Sequence, residues 1–320
     1  MDNAFYLILN MSLSSIVVIA ALMLVRLIRS LPKRVVYPLW GLAFIRLIFP
    51  FALSTRWSLF NFTGNLVKRL ITAETIIRTE IPIPGLDKWS VMNMIGAAQS
   101  YVPFEYRTES YKRFFTISSL VWAVIAVAAL LAACALYMLT MTELRKAQPL
   151  KDDIFRSDML LSPVLAGVFR SRIILPEGLD PDSPEGKMVI AHENVHQKRL
   201  DNLWRVLAIS VACIHWFNPF VWLMVRMFFA DMELSCDEKV LAEGKYGIEE
   251  RKAYARTLLS FSEDKSFLIS TAFGQSGVKV RIINILYYRR LTAIGAVSSA
   301  IFLFVLVLLL ITNPGVGGGF

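Results

Sequence analysis

No charged residue interrupts the chain from Phe115 to Met141. A helix needs ~20 apolar residues at 1.5 Å rise to cross the ~30 Å hydrocarbon core of a bilayer, and this stretch exceeds that. Phe5 to Ile28 and Leu291 to Thr312 are also long enough to span. Val35 to Leu53 is a weaker fourth candidate, because it carries Arg46 and two prolines and is open to kinking. Composition points the same way. Hydrophobic residues make up 56% and charged residues 18%, where soluble domains run nearer 45–50% and about 25%. Disordered and collagen-like classes are excluded. The three cysteines, Cys134, Cys213 and Cys236, are scattered and odd in number, which excludes a disulfide scaffold and a CxxC metal site. The expected fold class is a mainly α, polytopic membrane protein with about four transmembrane helices.

Loop charges set the expected orientation. Arg26, Arg29, Lys33 and Arg34 crowd the first connection, while Met1 to Phe5 holds no base. By the positive-inside principle that connection is cytoplasmic and the N-terminus lies outside. The first span has no preceding basic residue and no small-residue cleavage pattern, so it reads as uncleaved. The expected organisation is two spans with a short cytoplasmic loop over 1–53, an extracellular loop over 54–114 and a third span over 115–141. A cytoplasmic domain follows over 142–290, then a fourth span over 291–312 and a short outer tail over 313–320. The net charge of +9 fits loops beside an anionic inner leaflet. No nucleic-acid motif accompanies it, so direct nucleic-acid binding is not expected.

The domain over 142–290 is where the apolar background breaks. Pro163 to Phe169 and Ile173 to Pro176 read as two short strands. Ser183-Pro184-Glu185 reads as a helix start, with proline at the first helical position. The helix so begun carries His192-Glu193-Asn194-Val195-His196, an H-E-x-x-H sequence. Residues i and i+4 lie one turn apart on one face, so both histidines reach one Zn2+ ion and Glu193 stands beside it as a general base. Chance would place this pattern in ~1% of chains of this length at average residue usage. Here it takes two of only three histidines.

A third protein ligand is needed. Arg199 and Asn202 occupy the positions where a metzincin needs glycine and histidine, so that class is out. Glu233 is favoured and Asp231 is its rival. Asp237, one turn beyond Glu233, is placed to accept the second ring N–H of a ligand histidine. This reading imposes a condition on Val206 to Val225, which has no charge before Arg226. If that stretch crossed the bilayer, Glu233 would lie on the far side from His192 and His196. Asn218-Pro219 offers a break, so a re-entrant or membrane-associated helical hairpin is expected. His215, amid Trp216, Phe217 and Trp222, reads as a packing residue. Cys213 and Cys236 read as small buried ones.

Four ordered motifs then carry a family resemblance. They are Ser162-Pro163 with Phe169 to Gly178, His192 to His196 with Lys198 to Asp201, Trp216 to Pro219, and Glu233 to Asp237. Together they resemble the membrane zinc metallopeptidase domain of the BlaR/MecR type, the signal transducers of beta-lactam resistance. The resemblance implies a gluzincin-type α+β cytoplasmic domain with His192, His196 and Glu233 on zinc and Glu193 as base. It implies a protein substrate, either the chain itself or a winged-helix repressor, with a homodimer as a further possible assembly. An autocleavage region is expected around Ser266 and Phe267, in a segment that otherwise reads as a juxtamembrane linker. The best-known members carry an extracellular penicillin-binding sensor after the fourth span. With Phe320 eight residues past Thr312, that sensor is expected to be absent or cut off. Two other readings remain: a housekeeping protease resembling the CAAX/heat-shock zinc proteases, and a non-catalytic receptor or scaffold with a structural zinc.

Overall fold

Uninterrupted apolar sequence becomes uninterrupted helix. In the computed structural model, which describes residues 2–28, 31–49, 52–55, 59, 82–83, 86–90, 109–151, 153–244, 246–263, 275–288 and 292–314, three helices are long and apolar enough to cross a membrane. They are Ala4–Arg26, Arg113–Leu144 and Ile294–Ile311, within α1 (Asp2–Arg26), α4 (Glu109–Leu144) and α10 (Ala293–Ile311). Leu120, Val124, Val127 and Leu131 on α4, and Ile301 and Phe304 on α10, are exposed. Apolar surface of that extent suits a lipid environment rather than water.

The stretch expected as the second span is not one helix. It is divided into α2 (Lys33–Val36), a 3₁₀ turn (Tyr37–Leu39) and α3 (Trp40–Ile48). Pro38 lies in the turn and lacks the N–H that would continue the helical ladder. At nine residues, α3 rises only ~14 Å and does not by itself span a bilayer.

Between α4 and α10 lies the mixed domain. A four-stranded sheet has the order β4-β5-β7-β6, with β4 (Gln148–Lys151), β5 (Ile154–Ser157), β6 (Val164–Ala166) and β7 (Arg172–Pro176). β5 and β7 are parallel and the outer pairs antiparallel. The two expected strands correspond to β6 and β7, and β4 and β5 are additional. α5 (Pro184–Arg199) begins where expected: Ser183 caps it, its hydroxyl accepting from the Gly186 N–H at 2.9 Å. α6 (Asp201–Ile214) and α7 (Pro219–Gly244) follow, then α8 (Ile248–Glu263) and α9 (Gln275–Leu286). A second sheet of order β2-β3-β1-β8 joins β1 (Ala52–Thr55), β2 (Pro82–Ile83) and β3 (Leu86–Ser90) to β8 (Asn313–Pro314), just past α10.

α6 and α7 form the hairpin that the Asn218-Pro219 break leads one to expect. The Asn218 side-chain oxygen accepts from the Phe220 N–H at 2.9 Å, and its amide donates to Ser12 Oγ of α1 at 2.8 Å. Trp122 of α4 donates to the Ile214 carbonyl at 2.8 Å, and the His215 ring lies 3.1 Å from the Leu47 carbonyl. The tip is therefore fastened to α1, α3 and α4. The main core runs along the hairpin, with Ile19, Leu22, Trp40 and Phe44 against Ala212, Met224 and Phe228.

Candidate metal centre

α5 and α7 lie against each other, and their facing sides carry the candidate ligands. One turn of helix brings His192 Nε2 to 3.1 Å from His196 Nε2. Across the interface, Glu233 Oε2 is 3.5 Å from His192 Nε2 and Glu233 Oε1 is 3.6 Å from His196 Nε2. Three donors around a tetrahedral ion with bonds of about 2.0–2.1 Å stand roughly 3.3 Å apart. Two imidazoles and a carboxylate at this spacing fit zinc in chemistry and in size, with one coordination position left over.

Both rings are oriented from behind. His196 Nδ1 lies 2.6 Å from Asp201 Oδ2. Asp201 is fully buried and also takes hydrogen bonds from Tyr37 at 3.0 Å and from Arg199 at 3.2 Å. His192 Nδ1 lies 2.8 Å from the Tyr254 hydroxyl, which donates to Asp237 Oδ1 at 2.7 Å; the ring is 3.1 Å from that oxygen. Were a metal held on the Nε2 side, each Nδ1–H would donate outward, the arrangement that fixes the tautomer of a ligand histidine. Arg281 of α9 grips Asp237 with two bonds of 2.8 Å and reaches Glu233 Oε2 at 3.2 Å. Arg205 donates to Glu233 Oε1 at 2.8 Å.

These contacts set the charges. Burial pushes the Asp237 carboxyl up, but the Arg281 guanidinium overcomes it and holds the group at about 2. Burial likewise raises Glu233, and His196 and Arg281 bring it well below the usual carboxylate range. Asp201 is lowered against burial by its bond to His196 and by Arg199. Burial and the Asp237 charge push the Tyr254 phenol well up, so it stays a donor.

Glu193 is half-buried beside His192, and among the described residues its carboxylate takes no hydrogen bond or ion pair. The rival Asp231 is fully buried on another face of α7, held by Arg26 at 2.9 and 3.0 Å and by Trp40 at 3.0 Å. It is not part of this cluster. Cys236 completes a His192-His196-Cys236 group whose ligand atoms lie within 4.8 Å of one another. Its thiol nevertheless donates to the His192 carbonyl at 3.3 Å and packs with Val195 and Val240. Glu233 faces both Nε2 atoms, and Cys236 lies on the same helix between α5 and α7. Ser266 and Phe267 lie outside the described residues.

Sequence reasoning missed four positions. Asp201 lies five residues past His196, and a break at Leu200, which no glycine or proline signals, brings it back to the ring. Arg205 was not singled out. Tyr254 and Arg281 come from helices far along the chain and carry no local signature.

A family profile described as BlaR1 peptidase M56 matches residues 6–285. The regulatory protein BlaR1 of Bacillus licheniformis is 32% identical over 169 residues, covering 50% of this chain and 28% of that protein. The methicillin resistance mecR1 proteins of Staphylococcus aureus and Staphylococcus epidermidis are 29% identical over 135 residues, covering 40% of this chain and 23% of theirs. The match thus spans about a quarter of the length of these curated relatives. It covers most of the present chain in the family profile, however, and the chain belongs to the BlaR1 peptidase M56 family.

Proposed function

We propose that this chain is a membrane-embedded zinc endopeptidase acting in transmembrane signalling, and that it cleaves itself or a cytoplasmic transcriptional repressor. The observation that carries the reading is the convergence of His192, His196 and Glu233 from two helices, with Glu193, unpartnered among the described residues, beside them. A structural zinc site has no use for a free carboxylate at that position. Zinc held by these three side chains supplies Lewis acidity toward a peptide carbonyl and lowers the pKa of water toward ~7. Glu193 takes the proton of the attacking water and passes it to the leaving amine. Asp201, Tyr254 and Asp237 hold the two rings with their Nδ1 protons outward throughout.

An extended substrate has a docking edge in β6, which lies at one side of the sheet and beside α5. The Asn202 amide fixes that edge, donating to the carbonyls of Leu165 and Gly167 at 2.7 Å each.

The basic connection after α1 supports a cytoplasmic site. Arg26 pairs with Asp231, and the backbone N–H groups of Lys33 and Arg34 donate to Glu238 at 2.9 and 3.1 Å. Asp231 and Glu238 flank Glu233 on α7, so the candidate metal centre lies close to the positive loop, which supports placing both on the cytoplasmic side. Arg46 of α3 meets the end of α10, donating to the carbonyls of Leu310 and Thr312.

The test is a Glu193→Ala chain expressed with a candidate winged-helix repressor as substrate. It is expected to retain zinc and to lose cleavage of both repressor and self. Continued cleavage by a zinc-loaded Glu193→Ala protein defeats the assignment.

A further inference from the structure

Among the charged side chains at the centre, Arg281 comes from the element farthest along the chain. Arg281 sits on α9, which leads through Thr292, the N-cap of α10, into the last membrane-spanning helix. Its guanidinium is mostly buried, its side chain 17% exposed, and it touches three members of the cluster: Asp237 by two bonds of 2.8 Å, Glu233 Oε2 at 3.2 Å, and His192 Nε2 at 3.4 Å. Glu233 is thus gripped from both ends, Oε1 by Arg205 and Oε2 by Arg281. Without Arg281, Arg205 alone directs the carboxylate, and Oε2 is free to swing from the histidines. Asp237, whose hydroxyl partner Tyr254 orients His192, would lose its counter-charge in the same step.

α9 is seated by its own core. Ile285 and Tyr288 pack with Met188, Leu241 and Tyr254, and Arg251 donates to the Tyr288 carbonyl at 3.0 Å. Tyr254 belongs both to this seat and to the relay behind His192.

We propose that Arg281 is a positioning residue for the metal centre: from the helix that leads into the last span it fixes the carboxylates of Glu233 and Asp237, so metal retention depends on how that helix is seated. The proposal rests on the metallopeptidase reading above. It gives the last span a direct physical line to a zinc ligand. A guanidinium is suited to this because its planar fork serves two carboxylates at once, which a lysine ammonium does not.

The experiment measures zinc retention by chelator competition, and the ligand-field spectrum of the cobalt-substituted protein, on the full chain in detergent micelles. Wild type is compared with Arg281→Met, Arg281→Lys, Ile285→Ala and His192→Ala, each checked by thermal unfolding. Arg281→Met is expected to weaken zinc retention ~10–100-fold, as loss of a partner behind a ligand does, and to shift the cobalt spectrum. Arg281→Lys should fall between that protein and wild type. Ile285→Ala removes none of the side chains facing the metal position, though it packs with Tyr254 behind His192, and it should weaken retention in the same direction by loosening the seat of α9.

Retention by Arg281→Met within about twofold of wild type overturns the proposal. Tighter binding overturns it too, since the guanidinium would then be competing with the metal. If the methionine protein does not fold, the lysine protein decides, and an unchanged affinity and spectrum there overturn it. A folded Ile285→Ala protein with unchanged retention removes the dependence on helix seating. Wild type that binds no zinc, or His192→Ala that binds as wild type does, overturns the metal-site reading and this proposal with it.

Discussion

Leu200 is the non-glycine residue among those described with positive φ, at 55°. It ends α5 and begins α6, and the turn it makes returns Asp201 to His196. A left-handed backbone costs an L-residue roughly 1–2 kcal/mol, and Leu200 is 41% exposed, so little packing repays that cost. Leu200→Gly is therefore expected to raise stability by ~1 kcal/mol, and Leu200→Val to lower it, as read from thermal unfolding. A glycine protein melting below wild type would show that the side chain matters more than the backbone there. Asp237 gives a second residue-level expectation. Its carboxyl is held at about 2, below the unfolded value of ~3.9. The stability it contributes is fully present above pH ~3.9 and is lost as pH falls through about 2. The metal-free Asp237→Asn protein should thus be less stable than wild type at neutral pH, with the gap closing between pH ~4 and ~2. A gap independent of pH in acid unfolding would rule this out.

Element boundaries show where local sequence speaks and where it does not. The start of α5 was legible because Ser183 supplies a side-chain acceptor and Pro184 needs no donor. The hairpin turn was legible for a related reason, since proline at 219 cannot continue the ladder. The break at Leu200 was not, because Lys198-Arg199-Leu200-Asp201-Asn202 contains neither glycine nor proline and the strain is sustained by tertiary contacts. β4 and β5 were missed because they are short and lack clear alternation. The first turn of α5 also approaches the preceding loop closely. A Cβ on Gly186 would lie 2.0 Å from the Asp180 carbonyl oxygen, a backbone atom that cannot turn aside. Gly186→Ala is expected to cost about 1–3 kcal/mol in denaturant unfolding, and a neutral result would mean that the loop over 178–183 moves freely.

Over the whole molecule, polar groups in apolar surroundings mark where segments are tied together. Arg46 is fully buried and donates to the Leu310 and Thr312 carbonyls at the C-terminal end of α10, where the last carbonyls of a helix have no partner of their own. Arg46→Met should lower the thermal midpoint of the detergent-solubilised chain through those unmet acceptors, and an unchanged midpoint would show that water or lipid satisfies them. Asp231 and Glu238 bind the connection after α1, while Glu233 and Asp237 on the same helix face the two histidines. One helix thus serves as frame on one face and lines the candidate metal centre on the other. By itself the sequence determined the long apolar helices, the H-E-x-x-H turn and the need for a break near residue 218, because hydropathy, helical spacing and proline act within a few turns of chain. Tertiary structure alone decided that Glu233 rather than Asp231 faces the histidines, that the second apolar stretch is divided, and that Asp201, Arg205, Tyr254 and Arg281 surround the site. Those outcomes depend on the rotation and approach of helices whose contacts lie tens of residues apart, and no local pattern encodes that geometry.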